Sequence, residues 1–303
     1  IPYLYYIIEK YRIGIFMTKN IDKYLNASSV KLEDWEKVAN ASLKDKNIKD
    51  LEKILDENIH TKPLYTIEDI KEDYSLSSRR GLTNNRNQYM PWYICSSIDH
   101  SNDSKVLNSR IINELERGSG SLELATFNKE SLSSILNNVD LSLAPVYFKN
   151  LKNPMDRIEE YISYLDNWKS SKQEEPLGGY QIDPIAINLW LKEFSKEKFG
   201  KIIQHKDILR ETLKIDSEVR GKFPMLEIIY FDGSLWNDVG AGLSKEIELI
   251  ALSFLEVLKH SETNSINTQN IYVTISANTH FFALIAKIRS LRIIFSNIFK
   301  HFD

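Results

Sequence analysis

The sequence predicts an α/β domain built on a mostly parallel sheet. Six short apolar runs alternate along the chain with longer segments whose apolar residues recur every three or four positions, the spacing of an amphipathic helix. Strands that alternate with helices are typical of parallel sheets, because each helix carries the chain back to the starting edge. The 303 residues, 42% of them hydrophobic, supply enough apolar side chains for a core and exclude a disordered chain.

The alternation begins after Ser75 and gives six strand–helix units. The predicted strands are Tyr93–Ile98, Leu122–Thr126, Leu143–Phe148, Gly179–Ile182, Leu226–Phe231 and Ile271–Ser276. The predicted helices are Lys105–Arg117, Lys129–Asn137, Met155–Lys169, Pro184–Phe194, Leu243–Lys259 and His280–Phe302. These units fit either an open doubly wound sheet or a (β/α)8 barrel that stops two units early, and periodicity alone does not choose between them.

The glycines give no support for the dinucleotide site that many open sheets carry. Gly118 and Gly120 follow a helix and precede a strand, so they predict a helix C-cap and a turn. Gly240 and Gly242 do follow a strand, but Lys245 stands where the third glycine of the phosphate-binding motif is expected.

An N-terminal arm precedes the alternating region. Residues 1–16 are not typical of a signal peptide, because charges interrupt their apolar run and no cleavage site follows. We expect them to be a leader outside the native protein, with Met17 as the natural start, or alternatively a poorly ordered amphipathic arm. From Lys31 to Ile59 the apolar spacing predicts two short amphipathic helices, and Pro63 predicts an extended segment over Thr61–Thr66. The arm is therefore assigned to residues 17–75 and the α/β domain to residues 76–303.

Charge and cysteine content exclude several classes of partner. With 39 basic and 42 acidic residues the formal charge is -3, which offers no basic field for nucleic acid. The single cysteine, Cys95, forms no internal disulfide and no cysteine-based zinc site, which suits a reducing cytosol. No uninterrupted apolar stretch reaches the roughly 18 residues that cross a bilayer, so we expect a cytoplasmic protein without a membrane partner.

The last predicted helix has an unusually wide apolar face. Phe282, Ile293 and Ile294 lie off its main apolar stripe, and we expect them to pack on neighbouring helices or, alternatively, on another subunit. The chain ends at Asp303 without a helix cap or a terminating glycine, which predicts the N-terminal part of a longer polypeptide.

Carboxylates follow three of the predicted strands. Asp99, Asp183 and Asp232 lie at the C-terminal ends of strands, where barrel enzymes place reacting groups. Each also has a structural explanation: Asp183 precedes Pro184 as a helix N-cap, Asp232 begins a turn with Gly233, and Asp99 opens a polar loop. We favour the structural explanation for all three.

The remaining chemistry-bearing residues form no pattern typical of a metal centre or a nucleophile. The six histidines show no HxxxH, HxH or His-x-x-Glu spacing, and no Gly-x-Ser-x-Gly elbow is present. His100 beside Asp99 is a candidate general acid or base, although a loop histidine is more often only solvated. Cys95 lies inside the apolar run Trp92–Ile98, which argues against a catalytic thiol. The residues alone thus give no convincing catalytic constellation.

Short sequence motifs occur in a fixed order along the chain. In the arm they are Trp35, Pro63–Thr66 and Asp69, and then Arg80 with Gly81, Pro91 with Trp92, and Leu115–Gly118 leading into Ser121 and Leu122. Further on they are Asp183 with Pro184, Gly240 with Ala241, His280–Phe282 and Ile285–Arg292. In order and spacing over residues 30–303, the series resembles the small, non-catalytic subunit of adenosylcobalamin-dependent methylmalonyl-CoA mutase.

The resemblance implies a (β/α)8 TIM-type barrel, truncated here after about six units, whose relatives carry acyl-CoA through the centre. The implied reaction is the radical exchange between methylmalonyl-CoA and succinyl-CoA, for which the cofactor supplies the radical. Adenosylcobalamin is expected at the level of the complex and not on these residues, because no histidine begins an HxxG motif. The implied partner is a homologous catalytic chain in a heterodimer, with the arm at 17–75 wrapped around it.

The resemblance also implies that this chain is catalytically silent. The catalytic relatives place a Tyr-His pair in the stretch that is Gly233–Ala241 here, and Leu235 stands at the histidine's place without a hydrogen-bond donor. By spacing, Asn87 takes the place of the tyrosine that packs against the cofactor. Loss of one preorganised donor typically costs about 10² to 10³ in rate. The alternatives are a divergent acyl-CoA isomerase that uses Asp232 or Trp236, and an interaction protein without a mutase partner.

Overall fold

The computed structural model describes residues 31–44, 46–57, 59–69, 93–99, 101–124, 131–149, 157–187, 205–261 and 271–302. The chain divides into two compact units, Ile1–Lys71 and Glu72–Asp303. The predicted leader at 1–16 and the predicted boundary between residues 75 and 76 lie outside the described residues.

The first unit contains one helix and a small hairpin. Helix α1 is Leu32–Ser42, a 3-10 turn covers Ile48–Leu51, and strands β1 (Lys53–Asp56) and β2 (Ile59–Thr61) pair antiparallel. The predicted second helix is therefore wrong. Its apolar residues match helical spacing over too few turns to be decisive, whereas Asp56 accepts a hydrogen bond from the Glu57 N–H at 2.9 Å and starts a chain reversal.

The second unit is built on a six-stranded sheet whose neighbouring strands are all parallel. Its strands are β3 (Cys95–Ile98), β4 (Ser121–Leu124), β5 (Val146–Lys149), β6 (Gly178–Ile182), β7 (Leu226–Asp232) and β8 (Tyr272–Thr274). They lie side by side in chain order, so the reversal that defines a doubly wound sheet is absent from these strands. The sheet curls into half of a barrel, which confirms the α/β prediction and is consistent with a truncated (β/α) barrel.

Helices connect the strands on the outer side of the sheet. They are α2 (Ser104–Glu116), α3 (Leu132–Ile135), α4 (Ile158–Lys172), α5 (His205–Lys222), α6 (Gly233–Asp238), α7 (Leu243–His260) and α8 (Phe281–Phe302). The predicted helix at Lys129–Asn137 is a single turn, and the one predicted at Pro184–Phe194 is described only over a turn at 184–187. In the described part of the chain, every helix is too short or too polar to cross a membrane.

The sequence prediction omits helices α5 and α6. The buried face of α5 mixes apolar Ile208 and Ile215 with polar Thr212 and Asp216. The Thr212 hydroxyl donates to the Ile208 carbonyl at 2.8 Å, and Asp216 pairs with Arg220 at 2.5 Å, so both polar side chains are satisfied inside the helix. Polar residues within the buried stripe interrupt the apolar periodicity, and the helix is therefore missed by pattern analysis.

The two sides of the sheet differ in chemistry because alternate residues of a strand face opposite sides. The pairing of β6 with β7 shifts register between Gly179 and Ile182, so the alternation is interrupted there and Glu227 and Tyr230 lie on the same side. The side under the helices forms the core with Leu122, Leu124, Val146, Phe148, Tyr180, Ile182, Leu226, Ile229 and Phe231. The opposite, concave side carries Glu123, Tyr147, Lys149, Gln181, Glu227, Tyr230, Asp232, Tyr272 and Thr274, and we call it the concave polar face.

Aromatic packing joins the last two helices beneath β7. The Phe254 ring of α7 stacks on the Phe295 ring of α8, with centroids 4.7 Å apart. The residues predicted to lie off the main stripe of α8 divide into two kinds: Ile293 and Ile294 are half-buried, whereas Phe282 is 83% exposed. The wide apolar face is thus covered in its second half and open at its start.

A fully buried ion pair fastens α8 to α7 and to the segment that follows β8. Lys287 Nζ donates to Glu246 Oε2 at 2.7 Å, and the two side chains are 2% and 0% exposed. The Ser276 N–H and hydroxyl donate to the two Glu246 oxygens at 2.7 and 2.5 Å, and the Ser276 carbonyl accepts from Lys287 at 2.8 Å. Gly233 makes room for this network, since a Cβ there would lie 2.9 Å from Glu246 Oε1.

Replacing Lys287 with Met should destabilise the protein by about 3–5 kcal/mol, because the Glu246 carboxylate would stay buried without its counter-charge. The free energy of unfolding of the full chain, obtained from urea denaturation, measures the loss. The double variant Lys287→Met/Glu246→Gln should lose less than Lys287→Met alone, since it leaves no uncompensated charge.

The matched control is the pair Lys245–Glu248, and both of its residues lie on α7, the helix that carries Glu246. Its Nζ–Oε2 distance is 3.0 Å, but its side chains are 56% and 53% exposed. Because exposed pairs contribute little, Lys245→Met should change the free energy of unfolding by about 0–1 kcal/mol. Equal losses for the two lysine variants would contradict the role assigned to the buried pair.

Candidate functional site

The carboxyl ends of β6 and β7 bring two buried aspartates together. Asp183 directly follows β6 and is 2% exposed, and Asp232 ends β7 and is 0% exposed. Asp183 Oδ2 accepts a hydrogen bond from the Asp232 N–H at 2.9 Å. Asp183 Oδ1 accepts from the N–H groups of Ile185 and Ala186 at 3.1 and 2.9 Å, which confirms its predicted N-cap role. One carboxylate thus joins a helical turn to the next strand.

The Asp232 carboxylate is held by a lysine and by the helix that follows it. Its Oδ1 accepts from the Ser234 N–H and hydroxyl at 3.1 and 2.5 Å, so the predicted turn is the capped start of α6. Its Oδ2 is in contact with Nζ of Lys149, the last residue of β5. The same Nζ lies 5.7 Å from the centroid of the Tyr230 ring. Three adjacent strands therefore meet in one polar network at this edge.

Burial raises the pKa of Asp183 to about 6. The N–H donors of Ala186 and Asp232 act in the opposite direction, and the neighbouring carboxylate of Asp232 raises the pKa further. A carboxyl group with this pKa exchanges its proton close to neutrality, as general acids and bases do. Both Asp183 oxygens nevertheless accept backbone hydrogen bonds, so the group is engaged by the fold.

The other predicted site residues do not join this network. Asp99 follows β3, three strands away from β6, and it is exposed, so it does not join the two buried aspartates. Leu235 is half-buried on the first turn of α6. Trp236 packs against the apolar cluster on the outer side of β7. Asn87 and His100 lie outside the described residues.

A second polar group on the concave polar face is absent from the sequence prediction. Glu227 of β7 is 6% exposed, and its Oε1 accepts from the Tyr147 hydroxyl at 3.3 Å. The Tyr272 ring of β8 lies 6.0 Å from the Tyr147 ring, between centroids, at 45°. Burial raises the pKa of Glu227 to about 8, although hydrogen bonds from the two tyrosines lower it. The available signal was a carboxylate inside an otherwise apolar strand.

Comparisons with known proteins add no assignment to this geometry. No protein-family model matches the chain, and no curated protein sequence matches it significantly. Within the ranges that the structure describes, no three His, Cys, Asp or Glu side chains form a group suited to a metal ion. The resemblance to a mutase subunit therefore stays a prediction.

Replacing Glu227 with Gln should make the stability of the protein less dependent on pH. The pKa of Glu227 is about 8 in the folded protein against an ordinary value of 4.5, so between these values the native state holds a proton that the unfolded chain has released. Wild-type stability therefore falls as the pH rises through this window, by at most about 1.4 kcal/mol per pH unit for one proton. Asp183 titrates in both proteins and cancels in the difference.

The measurement is urea denaturation of both proteins at a pH of about 5.5 and a pH of about 8. We expect the free energy of unfolding of Glu227→Gln, relative to that of the wild type, to be higher at the higher pH than at the lower pH. Parallel pH curves for the two proteins would show that Glu227 does not ionise within the window.

Proposed function

We propose that this chain is a non-catalytic subunit of an adenosylcobalamin-dependent methylmalonyl-CoA mutase and that it stabilises a homologous catalytic chain. The observation that carries the proposal is that the polar groups at the carboxyl edge of the sheet are occupied by hydrogen bonds and an ion pair that hold the fold together. Asp183 caps a helical turn and holds β7, while Asp232 caps α6 and pairs with Lys149. Leu235, on the first turn of α6, offers no donor where the resemblance expects the catalytic imidazole.

The architecture of the sheet supports this proposal in two ways. Six parallel strands in chain order, curled into half of a barrel, are what a TIM-type barrel with two missing units requires. The interiors of most such barrels are filled by branched apolar residues. The concave polar face would instead line the barrel with carboxylates, hydroxyls and a lysine, which suits a family whose barrels hold a polar ligand.

Adenosylcobalamin belongs to the complex in this proposal, and this chain does not fit it. Among the six histidines of the sequence, none begins the HxxG motif that the resemblance associates with cobalamin. No residue of the chain is therefore assigned to the cofactor, and the radical chemistry is assigned to the partner.

We place the protein in the cytoplasm and assign its contact with the catalytic partner to the first unit. Helix α1 has no buried residue, and the unit leaves Val38 67% and Ile54 69% exposed. Exposed apolar side chains on a small unit are typical of surfaces that bind another chain. In the second unit, Phe281 and Phe282 at the start of α8 are exposed in the same way, at 65% and 83%.

A second candidate is an acyl-CoA isomerase that acts without a catalytic partner. The observation that favours it is the pKa of about 6 of buried Asp183, which lies beside the Lys149–Asp232 ion pair. Groups that exchange protons near neutrality are concentrated at functional sites. This candidate differs from the first in requiring turnover by the chain alone. Trp236, the other residue considered for it, is occupied in the apolar cluster.

An affinity-tagged full chain, recovered from the cells that produce it, should retain a stoichiometric partner of the same family. Its sequence should contain the Tyr-His pair where this chain has Ser234 and Leu235, together with a C-terminal DxHxxG motif. Replacing Val38 with Asp should lower the retained fraction about tenfold or more, because a charge would be buried at an apolar contact.

The matched control for this experiment is Asn40→Asp, which adds the same charge at an exposed polar position of the same helix. It should change the recovery of the partner by less than about twofold. Recovery of the chain without a homologous barrel, or equal losses for the two variants, would contradict the proposed contact.

A further inference from the structure

We propose that the concave polar face binds a primary ammonium group of a small organic ligand between Tyr147, Gln181, Glu227 and Tyr272. The proposal rests on the described side chains of one face of the sheet. It does not require the mutase assignment, which is carried by the carboxyl-edge network, although both proposals draw on the polar groups of the concave polar face.

The site is built on a row of residues that lie in register across four strands. The row consists of Glu123, Tyr147, Gly179 and Glu227, on β4, β5, β6 and β7. Gly179 is tightly enclosed, since a Cβ there would lie 2.1 Å from the Glu227 carbonyl oxygen. Because Gly179 has no side chain, Tyr147 reaches across β6 and donates to Glu227 Oε1 at 3.3 Å.

Two buried acceptors at this place lack a donor. Glu227 Oε2 and Gln181 Oε1 have no hydrogen-bond partner among the described residues, although the two residues are only 6% and 7% exposed. Gln181 lies two residues beyond Gly179, in register with Lys149, and therefore faces the same side. Buried polar atoms are nearly always hydrogen bonded, so these two oxygens on one face indicate a ligand that carries N–H groups and binds with Glu227 ionised.

The charges of the face favour a cation over a neutral or anionic ligand. Glu123, Glu227 and Asp232 are acidic, and Lys149 is already in contact with Asp232. An anion would be repelled by Glu227 at the proposed place. A divalent metal ion would find only the Glu227 and Gln181 oxygens as ligands among the described residues, fewer than hard cations require.

The aromatic rings complete the recognition of an ammonium group. Tyr147 and Tyr272 both interact with Glu227 through their hydroxyls, and their rings are inclined at 45° with centroids 6.0 Å apart. Cations are attracted to aromatic faces within about 6 Å of the ring centroid. A primary ammonium donates N–H groups to Glu227 Oε2 and Gln181 Oε1 while its alkyl part contacts the rings.

Binding is coupled to the ionisation of Glu227. Burial raises the pKa of this carboxyl to about 8, so near neutrality the free protein holds it largely protonated, whereas the ammonium favours the carboxylate. The hydroxyls that face it are Tyr147 from β5 and Tyr272 from β8, and burial raises the pKa of both, so they stay neutral. Tyr161 of α4 lies on the other side of the sheet against Phe148 and Tyr180, and burial raises its pKa as well. The charged residues on the same face are Glu123, Lys149 and Asp232.

The test is calorimetric titration of the full chain with ethylammonium chloride, with sodium chloride at equal ionic strength as the reference. Saturable binding is expected with ethylammonium only. The apparent association constant should rise about fivefold from pH 7 to pH 8, because the ionised fraction of a carboxyl with a pKa of about 8 rises by that factor. Near pH 7 the binding should release about one proton per ligand.

Variants separate the proposed contacts from the general charge of the face. Glu227→Gln should weaken binding about tenfold or more and remove its pH dependence, since a charged hydrogen-bond acceptor is lost. The matched control Glu123→Gln removes the same charge from the same row, and it should keep the affinity within about twofold and the pH dependence intact. Tyr272→Phe should retain most of the cation–π attraction, whereas Tyr272→Leu should lose it.

Three results would overturn the proposal. They are the absence of saturable ethylammonium binding by the wild type, equal losses in Glu227→Gln and Glu123→Gln, and equal affinities of the Tyr272→Phe and Tyr272→Leu variants. If Glu227→Gln fails to fold, Gln181→Leu provides the decisive variant. It should bind ethylammonium several-fold more weakly with the pH dependence retained, and unchanged binding would contradict the proposed site.

Discussion

The structure of the second unit depends on the division of its sheet into an apolar side under the helices and a polar side. Parallel strands are usually apolar on both faces, because helices cover both. Here β5 alternates strictly, with Val146 and Phe148 in the core and Tyr147 and Lys149 on the concave polar face. Such a sheet is stable only where its polar groups satisfy one another, as Tyr230 and Thr274 do at 2.7 Å. The network at the carboxyl edge is therefore first a requirement of the fold.

Local patterns in the sequence were sufficient for the parts of the fold that depend on local chemistry. The apolar run at Leu226–Phe231 gave β7, and the spacing over Leu243–Lys259 gave α7 almost to the residue. The hairpin of β1 and β2 was missed because a few apolar residues match two periods equally well. Helix α5 was missed because Thr212 and Asp216 occupy its buried face, which only tertiary packing reveals.

The same distinction between local and tertiary interactions separates the site contacts that the sequence predicts from those that it does not. The N-cap role of Asp183 is local, since the residues it caps follow it directly, and the Asp-Pro pair predicts it. The partners of Lys149, Glu227 and Lys287 come from other strands and helices, and no sequence spacing indicates such pairs. A single charged residue inside an apolar run was the available signal, because a buried charge requires a compensating partner.

The proposed function and the proposed ligand site draw on different parts of the same sheet. At the carboxyl edge Asp183, Asp232 and Lys149 are committed to holding strands and helices together, whereas Glu227 and Gln181 keep acceptors without donors among the described residues.

The central claim is that the chain does not catalyse the mutase reaction by itself. Its most direct test is succinyl-CoA formation from methylmalonyl-CoA by the purified full chain with adenosylcobalamin, before and after addition of the catalytic partner. The account predicts product only after the partner is added. Turnover by the chain alone, abolished in Asp183→Asn, would contradict it.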